Sequence, residues 1–171
     1  VINNSRKQLT LFVVQDAAAT IESIRAAYNP RQTELIKCHV TLCREDEIQD
    51  LEKVVNNLAQ LPEAELVIRF GKPIRFDDGK GVLLPATPDN QAFHALRRQV
   101  LQGLFDQPRL HEPHITLMHP RNSTCTDEIY AAICNINFPT ELVFNQIDLI
   151  EQVNGGPWKT LQTFPLSAKK M

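Results

Sequence analysis

One four-residue pattern occurs twice in the chain, as His39-Val40-Thr41-Leu42 and, after a proline, as Pro113-His114-Ile115-Thr116-Leu117. Side chains alternate across a strand, so each His shares a face with its Thr, while Val40, Leu42, Ile115 and Leu117 take the other. The apolar set belongs in a core and the polar set in a cleft. A single His beside a Thr is more often structural than chemical, but two copies among five histidines are rare by chance. Two imidazoles in one cleft form an acid–base pair, because a pKa of about 6.5 lets a neutral base and a protonated acid coexist near neutrality. That pair suits phosphoryl transfer from a ribose ring. One His takes a proton from the attacking water or hydroxyl and the other gives one to the leaving ribose oxygen. The hydroxyls of Thr41 and Thr116 are placed to hydrogen-bond a non-bridging phosphate oxygen. This chemistry needs no metal and no cofactor.

The elements that must position these groups can be read from hydrophobic periodicity and turn residues. Strands are expected at Gln8–Gln15, Ile36–Cys43, Glu65–Phe70, Ile74–Phe76, Val82–Leu84, Pro113–Leu117, a long region Glu141–Val153, and Trp158–Leu166. Helices are expected from Asp16 to Tyr28, Glu45 to Leu61, Thr87 to about Leu104, and from Thr126 onward, with Ser167 to Met171 as a frayed tail. Each motif strand is preceded by a helix and followed by helix, strand, strand. The expected fold class is therefore α+β: a bilobal duplicated α/β unit with two antiparallel sheets flanking a central cleft and helices on the outer faces. One domain would span 1–171, with motif units at about 36–86 and 113–166 facing each other.

Composition narrows the function. The chain has 171 residues, 43% hydrophobic and 22% charged, with a net charge of −2. That is ordinary for a globular protein and argues against a dedicated binder of long duplex nucleic acid. No apolar run approaches the ~20 residues of a membrane span, and Val1–Lys7 carries no secretory pattern. The missing initiator Met suggests a processed or recombinant terminus. Four cysteines (Cys38, Cys43, Cys125, Cys134) are too sparse for a disulfide framework and read as reduced thiols of a cytoplasmic protein. A monomer is the default.

Paired His-x-Thr-Leu motifs on strands of a duplicated α/β unit resemble the two-histidine (2H) phosphoesterase superfamily, and more closely its 2′-5′ RNA ligase-like (LigT-like) branch. The resemblance includes Leu11-Phe12-Val13-Val14, the Pro-His-Ile-Thr-Leu form of the second motif, and the stretch from Gly156-Pro157-Trp158-Lys159-Thr160-Leu161 to Phe164-Pro165-Leu166. Trp158 departs from the family, which often has Tyr there. The resemblance implies that His39 and His114 are the acid–base pair and that Thr41 and Thr116 bind phosphate. It also implies action on 2′,3′-cyclic phosphates of nucleotides or RNA ends, on related 2′-5′ phosphodiesters, or reversible 2′-5′ ligation.

The neighbouring residues carry weaker signals. His119 has the opposite strand parity to His114, which removes it from the site, and His111 falls in a loop. His111, His114 and His119 together do not favour a zinc site. His94 reads as a boundary residue. Cys38 to Arg44 has the Cys-x5-Arg spacing of cysteine phosphatases, but the residues between favour a strand over a phosphate-cradling loop. Cys43 shares parity with His39 and Thr41, so it either borders the cleft or is a structural thiol. Arg44 and Arg121 follow the two motifs and each either neutralises phosphate or is a solvated surface residue. Trp158 could stack a base or close the core. Arg69, Lys72 and Arg75, interleaved with Phe70 and Phe76, either grip a nucleic-acid backbone or face solvent. The rival to a cyclic phosphodiesterase is a non-catalytic nucleotide- or RNA-binding module using the same cleft.

Overall fold

The computed structural model describes residues 4–166; the tail reading at 167–171 lies outside them. Nine strands and five helices follow in the order β1 (Ser5–Phe12), α1 (Gln15–Tyr28), α2 (Pro30–Leu35), β2 (His39–Cys43), α3 (Leu51–Ala59), β3 (Leu66–Arg69), β4 (Ile74–Phe76), β5 (Gly81–Pro85), α4 (Gln91–Val100), β6 (His114–Met118), α5 (Asp127–Cys134), β7 (Glu141–Phe144), β8 (Gln146–Val153) and β9 (Trp158–Pro165). Seven strands form one antiparallel sheet in the order β4-β5-β6-β2-β1-β8-β9, and β3 pairs with β7 in a second, two-stranded sheet.

This α+β arrangement corrects the expectation of two sheets flanking a cleft. The motif strands do not face each other; β2 and β6 lie side by side at the middle of one sheet. Their backbone pairing is confined to Val40 and Ile115. Each of the expected units also sends its hairpin to the other side of the sheet. β5, from the first unit, pairs with β6, whereas β8, from the second, pairs with β1 beside β2.

The repeat itself is present in the registers. Along β1 and β2, Leu9 pairs with Cys43, Thr10 with Thr41, Leu11 with Val40 and Phe12 with His39. Along β5 and β6, Val82 pairs with Met118, Leu83 with Thr116, Leu84 with Ile115 and Pro85 with His114. Each pair carries a bulge at the same place, leaving Leu42 and Leu117 as the extra residues. A bulge reverses side-chain parity beyond it. Cys43 and Met118 therefore turn into the core, where both are buried, and Cys43 is not a cleft residue.

Several boundaries moved for local reasons. Asn29-Pro30 does end α1, but Pro30 then starts α2, since proline is favoured in a first helical turn. The helix expected from Glu45 begins as a 3-10 turn, Glu45–Glu47, and α3 starts only after Asp50 caps the Lys53 N–H. Thr87-Pro88-Asp89 is a turn, with Asp89 paired to Arg69, and α4 starts at Gln91. Thr126 caps α5 as its sequence suggests, accepting from the Ile129 N–H. The long region 141–153 divides at Asn145 into β7 and β8, which belong to different sheets. Leu9, Leu11, Val40, Leu42, Ile115 and Leu117 share one core with Ile21 of α1, Val54 and Leu58 of α3, Phe93 of α4, and Ile68 and Phe144 of the small sheet.

A buried ion pair locks the turn after β2. Arg97 of α4 and Glu47 are 2% and 3% exposed and meet at 2.6 Å. Arg97 also donates to the Leu42 and Arg109 carbonyls, tying β2 to the chain leading into β6. Burial alone would raise the Glu47 pKa, but hydrogen bonds from Arg97 and the Arg44 N–H hold it below the ordinary carboxyl value. Glu47→Leu leaves a buried guanidinium unpaired and is expected to cost about 3–5 kcal/mol. Adding Arg97→Met is expected to restore much of that loss. Denaturant titration of both single variants and the double variant checks this; a Glu47→Leu protein as stable as wild type would show the pair to be dispensable.

Candidate functional site

The polar faces of β2 and β6 line a cavity of about 480 Å³. His39, Thr41, His114 and Thr116 all border it, as do Arg44, Arg121 and Trp158. Extending the Val40–Ile115 register one residue each way sets His39 level with Thr116 and Thr41 level with His114. Each imidazole thus stands beside the hydroxyl of the other motif. Strands that lie side by side create this crossed pairing; strands facing across a cleft would not.

The two histidines are held alike. His39 Nδ1 lies 2.8 Å from the Lys37 carbonyl, and His114 Nδ1 lies 3.0 Å from the Glu112 carbonyl. A carbonyl only accepts, so both Nδ1 atoms donate, which leaves each Nε2 as the atom available for proton exchange. Protonating Nε2 keeps that bond intact. Their surroundings differ. The His39 ring meets Phe12 edge-on at 6.1 Å, and its burial pushes its pKa down to about 4, against the favourable Lys37 bond. His39 is therefore neutral at physiological pH and able to accept a proton.

His111 lies in the loop before β6, as expected, but it is buried there and bridges the two motifs. Its Nε2–H donates to the Thr41 carbonyl at 3.0 Å, and its ring lies 6.0 Å from that of His114. Burial, with Arg97 nearby, pushes its pKa down to about 4, so it stays neutral and keeps this bond. Where the sheet offers little backbone pairing, His111 supplies a link from the β6 approach to β2. The corresponding place before the first motif is filled by Ile36, whose carbonyl accepts from buried Arg25 at 2.8 Å. Glu22 receives both Arg25 and the Cys38 N–H, fixing the approach to β2.

His119 corrects the parity reading. It lines the cavity because the bulge at Leu117 reverses the alternation, just as the bulge at Leu42 turns Arg44 inward. His119 and Arg44 occupy the same place in the two repeats. The signal lay in the apolar doublets Leu42-Cys43 and Leu117-Met118, which break a strict alternation. His119 Nδ1 accepts the Arg121 N–H at 3.1 Å, so its neutral form carries the proton on Nε2. Burial and the cations Arg121 and Arg6 hold its pKa down. The turn is anchored by Asn29, fully buried between α1 and α2, which accepts the His119 N–H at 2.7 Å and donates to Asn122.

Positive charge dominates the cavity wall: Arg6, Lys7, Arg25, Arg44 and Arg121 against Glu45 and Asp46, the latter paired with Arg109. Trp158 is half-buried, with the Arg6 guanidinium 5.1 Å from its ring centroid, so it faces the cavity rather than closing the core. Arg69 and Arg75 are engaged by Asp89, Glu141 and Asp127, Phe70 is buried, and none of them borders the cavity. The chain after Cys38 runs straight into β2, and burial followed by Glu22 pushes the Cys38 thiol up, so the Cys-x5-Arg spacing builds no phosphatase loop. His94 packs edge-on against Phe93. Among the described residues no group of His, Cys, Asp or Glu converges to hold a metal ion, and no helix is long and apolar enough to cross a membrane.

Comparison with known proteins agrees with this architecture. A Bacillus cereus protein named as a candidate phosphoesterase is 26% identical over 160 residues, covering 90% of this chain and 91% of its own. A Bacillus mycoides protein of the same description is 25% identical over the same length, with the same coverage of both chains. The fold matches Escherichia coli LigT in its apo form with a TM-score of 0.66, at 14% identity, covering 98% of this chain and 100% of that one. LigT complexed with 3′-AMP matches with a TM-score of 0.64 at 13% identity, covering 96% and 99% of the two chains. The family model described as the 2′-5′ RNA ligase superfamily matches residues 13–156, from the end of β1 to the turn before β9, and the chain belongs to that superfamily.

Proposed function

We propose that the protein is a metal-independent phosphoesterase that opens 2′,3′-cyclic or 2′-5′ phosphodiesters of ribonucleotides or RNA ends. The observation that carries this reading is the matched pair of histidines: both Nδ1 atoms tied to a backbone carbonyl, with both motif threonines on the same cavity. With a 2′,3′-cyclic phosphate in the cavity, His39 Nε2 accepts a proton from water as its oxygen bonds to phosphorus. The bond from phosphorus to one ribose oxygen breaks, and His114 Nε2–H protonates that oxygen. Thr41 and Thr116 donate to the non-bridging oxygens as their charge shifts, and Arg44 adds fixed positive charge. With a ribose 5′-hydroxyl in place of water, the same steps in the same direction make a 2′-5′ bond and free the 3′-oxygen as a hydroxyl; run backwards, they break that bond and re-form the cyclic phosphate. The depressed pKa of His39 favours it as the base, so His114 takes the role of acid.

Turnover of nucleoside 2′,3′-cyclic phosphates and 2′-5′ dinucleotides in the presence of a chelator is the direct test. His39→Ala and His114→Ala are each expected to lower kcat by about 10²–10⁴-fold with the fold retained. Thr41→Ala and Thr116→Ala are expected to cost about 1.5–3 kcal/mol of transition-state stabilisation. Ligand binding without turnover in the wild-type protein would favour the recognition module instead.

The pH profile provides a second check. His39 is deprotonated above its depressed pKa, so the acid limb of kcat/KM is expected near pH 4, below the ordinary histidine value of 6.5. An acid limb at the ordinary value would reverse or remove the assignment of His39 as base. Stability must be followed in parallel. His39 and His111 are harder to protonate folded than unfolded, so their contribution is complete above pH 6.5 and is lost as pH falls towards 4. Denaturant titrations at the assay pH values separate unfolding from titration of the base.

His111→Phe keeps a ring in place but strands the Thr41 carbonyl. It is expected to destabilise the protein by about 1–3 kcal/mol and to lower kcat more than it raises KM. Unchanged stability and kcat would show that the bridge to β2 is not needed.

A further inference from the structure

The arginines of this chain sort into two groups. Arg25, Arg69, Arg75, Arg97 and Arg109 have carboxylate partners. Arg6, Arg31, Arg44, Arg98 and Arg121 have none among the described residues; Arg98 lies apart, on α4, and the other four gather on the cavity already described or on the one next to it. That second cavity, about 410 Å³, is bordered by Arg6, Arg31 and Arg121 and by no Asp or Glu. It shares Arg6, Leu35, Arg121 and Gln152 with the first, so the two are continuous.

Three guanidiniums around one cavity without a carboxylate repel one another, and an anion would relieve that repulsion. The Arg6 guanidinium and the backbone of Arg121 are held in place by other contacts. Gln152, only 4% exposed, accepts the Arg6 Nε–H at 2.8 Å, and its amide nitrogen is held by the Gly156 carbonyl. Arg6 also lies against the Trp158 ring. The backbone of Arg121 is fixed by its N–H bond to His119 and by the Asn29–Asn122 link beneath the turn. Arg31, on α2, closes the far side. A guanidinium's planar fork matches phosphate oxygens better than a lysine point charge does.

We propose that this second cavity is a subsite for a further phosphate of the substrate, beyond the one at the two histidines. Placing the reacting phosphate in the first cavity rests on the reading under Proposed function; the anion subsite rests on the arginines themselves. The ligand class is a ribonucleotide with two separate phosphate groups. The second group is either a terminal 5′-phosphate or an internucleotide phosphodiester.

Calorimetric binding with three probes separates these sources: a nucleoside 3′-monophosphate, a nucleoside 3′,5′-bisphosphate, and a dinucleotide ending in a 3′-phosphate. At least one two-phosphate probe is expected to bind more tightly than the monophosphate. A gain confined to the bisphosphate assigns a terminal phosphate, and a gain confined to the dinucleotide assigns an internucleotide one. Arg31→Gln, at an exposed residue bordering only the second cavity, is expected to reduce that gain about three- to tenfold, as for a partly exposed charge contact. It should leave monophosphate binding, thermal stability and turnover of nucleoside 2′,3′-cyclic phosphate unchanged. Equal affinity for all three probes, or an equal loss for mono- and two-phosphate probes in Arg31→Gln, overturns the subsite. Turnover with no such gain refutes the subsite alone; the gain without turnover refutes the catalytic reading alone.

Discussion

The structure depends on a seam. Two groups of strands, β4-β5-β6 and β2-β1-β8-β9, meet where β2 lies beside β6, and the backbone pairing across that line is confined to Val40 and Ile115. A full ladder would have drawn the strands tightly together over their length. Here the two sides are held by their apolar faces in a shared core and by side-chain bonds that cross the line. His111 to the Thr41 carbonyl is one; Arg97, reaching both the Leu42 and Arg109 carbonyls, is another. These groups are buried and polar, which is costly unless each is satisfied. Their bonds lie next to the residues whose geometry matters most.

The seam also makes the site a property of the pair of repeats. Within one motif, His and Thr point into the cavity, but each imidazole stands beside the hydroxyl of the other motif. Near-symmetry gives both histidines the same Nδ1 bond, and departures from symmetry then set them apart. Phe12 flanks one, whereas Pro85 is level with the other in the adjacent strand. Ile36 stands where the second repeat has His111, and Arg44 where it has His119. The near-symmetry gives two histidines with equivalent backbone anchoring, and their neighbours differentiate them.

Much of this was legible in the sequence. The two motifs, their strand character, the pairing of His with Thr on one face, and the helices around Ile21, Val54 and Phe93 all follow from periods of two and of three to four residues. The long region 141–153 did not divide itself, because Asn145 is a weak break and sheet membership depends on distant partners. The relation between the motif strands was misread for the same reason: local pattern fixes which face is apolar, not which strand lies alongside. Parity failed at Cys43 and His119 because it assumes an unbroken pleat, and each motif strand carries a bulge one residue after its Thr. Arg97 and His111 look like ordinary polar residues in the sequence; only packing shows that they bridge.

The exchange of hairpins between the two halves bears on how the chain can reach this state. β1, at the start, has β2 on one side and takes β8, residues 146–153, on the other. Until that distant segment has been made, one edge of β1 stays open, and the first motif's strand group cannot be completed by its own half of the chain. Pairings of such separation are slow to form, because a long loop must close before they are rewarded. Cutting the protein between its repeats would thus not yield two small folding units. A nascent chain emerging from a ribosome would have to wait for its final third before either half of the sheet was whole.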